Sequence, residues 1–291
     1  MRERAVSFGG GGLFGVVTEP DRADRDAPRD RPGVIVLNSG LLHKVGPYRL
    51  SVNLTRAIGK RGHYALRFDL SGIGDSRMTL SDLSARERAV ADVGAAMDFM
   101  AEEYGVRAFV LMGLCSGSDN AHYTSLQDER VVGTVHLDGY AVPDWRYYLK
   151  YYGGRLLSLR VLRARFEKAQ SEDVGRNRTP AAGGRTRVFP SRSQLTHDFK
   201  QVTDRGVRLL CIFTRGAEAY NYKGQMRRTF SAVEFGDLLE EEFFPLATHT
   251  YCTLESRRAV VARITHWVSR HWGEPHVERS SPPPAIAVAA R

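Results

Sequence analysis

The apolar positions of this chain alternate between two patterns: short, largely apolar runs, and longer stretches in which apolar residues recur every three or four positions. The continuous run at 34–37 reads as a strand buried on both faces, as parallel strands are, and the stretches at 64–68, 108–112, 131–137 and 209–213 read as further strands. Between them, Leu50, Leu54 and Ile58 predict a helix ending near Gly62. Val90, Val93, Met97 and Met100 predict a second, opened by the capping box of Ser84 and Glu87 and stopped at Gly105. Val260, Val261, Ile264, Trp267 and Val268 mark a final amphipathic helix, preceded by a short strand at 242–245. At the start, runs at 5–8 and 13–18 flank four consecutive glycines and predict a hairpin. Strands alternating with helices require a mostly parallel sheet covered on both faces, an α/β fold.

Two stretches break the rhythm. Residues 140–205 are rich in aromatic and basic side chains and read as an inserted cap, helical near 144–168 and looped around 181–185. Residues 273–291 have no periodic apolar face and read as a disordered tail. The expected organisation is an α/β core at 1–139 and 206–272, interrupted by the cap at 140–205 and followed by the tail.

Composition narrows the setting. Three cysteines without paired spacing argue against a disulfide framework or a zinc site, which suits a reducing cytoplasm. The first residues are charged and lead into glycines rather than an apolar segment, so neither export nor a membrane span is expected. The formal charge of +9 favours anionic partners such as phosphate-bearing acyl carriers; no nucleic-acid-binding motif accompanies it.

The chemistry concentrates in Gly113-Leu114-Cys115-Ser116-Gly117, which follows the strand at 108–112 and precedes a helix-compatible segment. A strand-to-helix turn of the form G-x-nucleophile-x-G lifts its central side chain out of the sheet, and here that side chain is a thiol. Near neutral pH a thiol is already partly ionised, whereas a hydroxyl depends on a neighbouring base. His249 lies between the last short strand and the final helix, and Glu218 follows the strand at 209–213. Asp138, ending the strand at 131–137, is the rival acid.

Nucleophile, acid, histidine in that order, each after a strand, resembles the α/β-hydrolase superfamily over roughly residues 5–272. The motifs at 38–43 (Asn-Ser-Gly-Leu-Leu-His), 68–76 (Phe-Asp-Leu-Ser-Gly-Ile-Gly-Asp-Ser) and 113–117 are most similar to its exosortase-associated and serine-aminopeptidase-like branch. The resemblance implies a fold with an inserted cap and a catalytic triad of Cys115, His249 and Glu218 or Asp138. It also implies oxyanion donors at the N–H groups of Leu41 and Ser116. Ser39 stands where the family usually carries a histidine, and Ser39 and His43 are expected near the substrate. A thiol in place of the usual serine favours esters and thioesters over peptides, with coenzyme A or an acyl-carrier protein as candidate bearers of the acyl group. Hydrolysis, acyl transfer and a non-catalytic binding role on the same scaffold remain open at this level. No motif implies a cofactor or a metal.

Overall fold

A computed structural model describes residues 1–21, 31–78, 82–156, 189–217 and 219–273. Eight strands form one sheet: β1 (Arg2–Phe8), β2 (Leu13–Glu19), β3 (Gly33–Leu37), β4 (Ala65–Asp69), β5 (Phe109–Leu114), β6 (Val131–Leu137), β7 (Arg208–Thr214) and β8 (Leu239–Phe244). Their order across the sheet is β1-β2-β4-β3-β5-β6-β7-β8. The hairpin β1–β2 is antiparallel and pairs antiparallel with β4, and every other pairing is parallel. Helices α1 (Leu50–Gly59), α2 (Ala85–Tyr104), α3 (Ser116–Gln127), α4 (Trp145–Leu156), α5 (Arg192–Asp204), α6 (Gln225–Thr229) and α7 (Leu254–Trp272) connect or follow the strands.

The unbroken apolar runs are explained by the packing of the central strands. In β3, Ile35 and Leu37 join one core cluster with Val93 and Met97 of α2, while Val34 and Val36 join another with Leu54 of α1 and Trp267 of α7. β5 divides likewise, Phe109 and Leu111 to the first side and Val110, Met112 and Leu114 to the second. Period-two side-chain alternation therefore feeds two layers of helices, and each fully buried Leu, Ile or Phe contributes about 1.5–3 kcal/mol. The α2 capping box forms as the sequence predicts: Ser84 Oγ accepts the N–H of Glu87 at 3.3 Å, and Glu87 Oε2 accepts the N–H of Ser84 at 2.8 Å. Gly105 closes the helix at φ 69°.

Two elements differ from the sequence reading. The strand expected at 242–245 begins three residues earlier, at Leu239, because Glu241 is buried while accepting the Tyr220 hydroxyl at 2.9 Å and the Met226 N–H at 3.0 Å. A run of three glutamates hides a strand unless those partners are known. Helix α5 falls within 140–205, and Leu195, Phe199 and Val202 pack it against Phe213 and Tyr220 beside the sheet. The helical stretch expected from 144 is seen as α4, Trp145–Leu156; the loop expected around 181–185 and the tail beyond 273 lie outside the described residues. Among the described residues, no helix is long and apolar enough to cross a membrane.

Candidate active site

The elbow after β5 is built on close backbone contact. A Cβ at Gly113 would sit 2.2 Å from the carbonyl carbon of Gly117, and one at Gly117 would sit 2.4 Å from the carbonyl oxygen of Asn38. Both positions are closed to any side chain by backbone atoms. Gly113→Ala is therefore expected to lower stability by several kcal/mol, beyond the usual ~1 kcal/mol of a point substitution; an unchanged melting temperature would contradict this. Between the glycines, Cys115 holds φ 55° and ψ −117°, a conformation costing about 1–3 kcal/mol for a side-chain-bearing residue. The surroundings enforce it: the Cys115 N–H donates to Leu137 of β6 at 2.9 Å, and its carbonyl accepts the N–H of Asp119 at 3.2 Å. The half-buried thiol thus stands at the carboxyl end of the sheet, at the N-terminus of α3. That terminus carries partial positive charge, which favours a thiolate.

His249, on the loop between β8 and α7, meets this thiol. Its Nδ1 lies 2.7 Å from Asp138 Oδ2, and its ring also hydrogen-bonds Cys115. The hydrogen bond to Asp138, then the one to Cys115, outweigh the opposing effect of burial and raise the imidazole pKa to about 9. Near neutral pH the ring is an imidazolium between a carboxylate and the sulfur.

Asp138, at the end of β6, is 2 % exposed and takes φ 47°, which turns its carboxylate toward the end of β7. Glu218, the first acid proposed from the sequence, lies outside the described residues, and the Nδ1 edge it was expected to engage is occupied by Asp138. The rival acid is the one brought to the histidine. Glu218 follows the strand that precedes His249 in the chain, whereas Asp138 meets the ring from the end of β6, at a left-handed backbone position.

Ser39, Gly40, Leu41 and Leu42 form a turn after β3. The Leu42 N–H donates to Ser39 O at 3.0 Å, and the Gly40 N–H donates to Ser116 Oγ at 2.7 Å. The Leu41 N–H lies between these two committed donors and makes no hydrogen bond among the described residues, and the Leu41 side chain is 70 % exposed. The Ser116 N–H opens α3 and has no acceptor within its own helix. Ser39 and His43 line a small pocket beside the elbow, floored by Leu50, Leu54, Met112 and Leu137.

The turn is braced by Asn38 and Asp69, which belong to the motifs at 38–43 and 68–76. Asn38 Nδ2 donates to Leu42 O at 2.8 Å and to Asp69 Oδ1 at 3.2 Å, while Asn38 Oδ1 accepts the Leu70 N–H at 2.7 Å. Fully buried Asp69 also accepts the Lys44 N–H at 2.5 Å, Lys44 Nζ at 2.8 Å and the Asp75 N–H at 3.1 Å. Asp69 thereby fixes its own glycine-rich turn to the loop after β3.

The other histidines and cysteines stand apart from this chemistry. His122 bonds Asp198 at 2.9 Å, His136 bridges Ser118 and Thr134 at 2.8 Å each, and His63 contacts the Pro32 carbonyl at 3.0 Å. Cys211 is buried in the core with its pKa pushed up, and Cys252 is exposed beside Thr248.

No protein-family model matches the chain, and no curated protein matches its sequence. Its backbone is similar to solved structures. Proline iminopeptidase of Mycobacterium smegmatis superposes with a TM-score of 0.58 at 16 % identity, covering 93 % of this chain and 98 % of that one. An esterase of Pyrococcus furiosus gives 0.56 at 12 % identity, covering 93 % and 92 %. A lidless α/β serine hydrolase of Xanthomonas campestris gives 0.54 at 12 % identity, covering 95 % and 97 %. With the strand order and the elbow, these likenesses establish that the chain has the α/β-hydrolase fold.

Proposed function

We propose that the protein is a thiol-dependent hydrolase that cleaves an ester or thioester through an acyl-cysteine intermediate. The observation that carries this reading is the Cys115–His249–Asp138 array at the carboxyl edge of the sheet. In the cycle these residues permit, the Cys115 thiolate attacks the substrate carbonyl carbon. The oxyanion rests on the N–H groups of Leu41 and Ser116, roughly 3 kcal/mol per donor where such holes have been dissected. Collapse breaks the bond to the leaving group, which takes its proton from the His249 imidazolium. The now neutral imidazole removes a proton from water as its oxygen attacks the acyl-cysteine, and collapse returns the thiolate, the imidazolium and a carboxylic acid.

Substrate class follows from two supports. An acyl-cysteine is itself a thioester, so a thioester substrate transfers its acyl group at little cost in energy. In addition, exposed large apolar side chains gather on segments that leave the carboxyl ends of β3, β4, β6 and β8, the edge that holds Cys115. Leu41, Leu42, Tyr48, Leu246 and Leu254 are among them, and such a setting suits an apolar acyl group. Coenzyme A and carrier-bound acyl groups fit the net charge of +9. Placement beside the exosortase-associated and serine-aminopeptidase-like hydrolases, a cap at 140–205 and a cytoplasmic setting belong to the same proposal; the first rests on the motifs at 38–43, 68–76 and 113–117.

Intact-mass measurement after exposure to a panel of acyl thioesters and activated esters tests the reading. The wild type is expected to gain an acyl mass that Cys115→Ala does not. An adduct of equal yield on both proteins removes Cys115 from the chemistry. The pH profile provides a second test. Hydrolysis needs the imidazolium to protonate the leaving group, so turnover should fall as pH rises through about 9, where His249 loses its proton. Alkylation of Cys115, which needs only the thiolate, should not fall there; parallel profiles would contradict the assignment.

A further inference from the structure

Asp138 reaches His249 from the end of β6, one strand away from β7, and β7 supplies the contacts that hold it there. Thr214, the last residue of β7, is fully buried and donates its N–H to Asp138 Oδ1 at 2.6 Å and its hydroxyl to Asp138 Oδ2 at 2.7 Å. Oδ2 is also the oxygen that meets His249 Nδ1. The Thr214 hydroxyl oxygen accepts the Gly216 N–H at 3.0 Å, which leaves its hydrogen directed at the carboxylate. A Cβ on Gly216 would lie 2.7 Å from that of His249, so the turn after Thr214 presses against the histidine as well.

We infer that Thr214 is the positioning residue that fixes the orientation of the Asp138 carboxylate, and through it the proton on His249 and the thiolate of Cys115. Its catalytic meaning rests on the acyl-cysteine reading; its effect on the thiolate does not. A buried carboxylate costs several kcal/mol unless its oxygens are satisfied, and Thr214 satisfies both with two donors set by one residue. Without the hydroxyl, Oδ2 loses a donor and the carboxylate is held less firmly by its remaining bonds, among them the Thr214 N–H on Oδ1 and His249 Nδ1 on Oδ2. The imidazolium then loses a fixed counter-charge. Among the described residues, the ionisable groups that bear on this pair include Cys115 toward His249 and the buried phenol of Tyr251 toward Asp138. Neither supplies a replacement carboxylate.

The experiment follows iodoacetamide alkylation of Cys115 against pH, resolved by peptide mass spectrometry from Cys211 and Cys252, in wild type, Thr214→Val, Thr214→Ser and Asp138→Asn. Thr214→Val is expected to move the low-pH limb of alkylation up by about one pH unit, in the direction of Asp138→Asn, since losing a hydrogen bond to a charged group weakens the ion pair it supports. Thr214→Ser, which keeps the hydroxyl, should hold the wild-type limb. If Thr214→Val does not fold, Thr214→Ala is read against the same criteria. Coincidence of the hydroxyl-free variant with wild type while Asp138→Asn shifts overturns the inference, as does a Thr214→Ser limb displaced equally with that variant. A shifted hydroxyl-free limb with the serine variant unmoved supports it even if no acyl adduct forms on the wild type, an outcome that would count against the proposed activity alone.

Discussion

Asp138→Asn is expected to lower acyl-thioester turnover by roughly 10²–10³-fold at pH 7, while Glu218→Gln stays within about twofold of wild type. The amide keeps the size of the carboxylate but not its charge, and it can present an N–H to the ring, favouring the wrong tautomer. Where the nucleophile is a serine, this substitution costs about 10⁴. The smaller figure here reflects a nucleophile that ionises more readily and is reactive even when its base is weakened. The contrast between the two acids is the sharper part of the measurement, because Asp138 Oδ2 lies 2.7 Å from His249 Nδ1. Comparable losses in both variants, or a loss confined to Glu218→Gln, would show that the histidine changes partner during the reaction. In Asp138→Asn the His249 pKa should also fall from about 9 toward the ordinary imidazole range, since the hydrogen bond to Asp138 is the largest influence raising it. Titration of the ring by NMR reads this directly.

Cys115→Ser is expected to fold as the wild type does and to lose about 10³-fold in turnover at pH 7, although serine is the commoner nucleophile at such elbows. The reason is the proton on His249. A thiolate needs no base at the moment of attack, so an imidazole held protonated by Asp138 suits it. A serine hydroxyl must hand its proton to a neutral imidazole, and the hydrogen bond to Asp138 still favours the protonated ring after the contribution of the sulfur is gone. The two enzymes should therefore have opposite pH trends on the alkaline side. Wild-type turnover declines as His249 deprotonates, whereas that of the serine variant climbs until the ring is neutral. Equal rates at pH 7, or a serine profile parallel to the wild type, would mean that the site is not tuned to a thiolate.

The braced turn after β3 gives a smaller expectation. Ser116→Ala removes the acceptor of the Gly40 N–H without touching the Ser116 N–H, so turnover should fall by about tenfold with little change in the alkylation rate of Cys115. A matching loss in both would place the serine hydroxyl at the sulfur rather than at the turn.

Much of this protein was legible in the chain because it depends on local rules. Unbroken apolar runs can be buried only on two faces, so β3 and β5 and the helices covering them follow from periodicity, and the elbow follows from two glycines around a thiol. His249 was identified by its place between the last strand and the last helix. Where local composition misled, a distant partner was the cause: Glu241 is a core strand residue only because Tyr220 and Met226 satisfy it. The choice of acid was not local either. Glu218 and Asp138 both follow strands, and what brings one of them to the histidine is the φ of 47° at Asp138 together with two donors from Thr214, 76 residues further along. A sequence fixes which side chains are able to ionise. Which of them does so beside a given imidazole is decided by burial and by the donors that the fold assembles from separate strands, because a buried charge persists only where its hydrogen bonds are met.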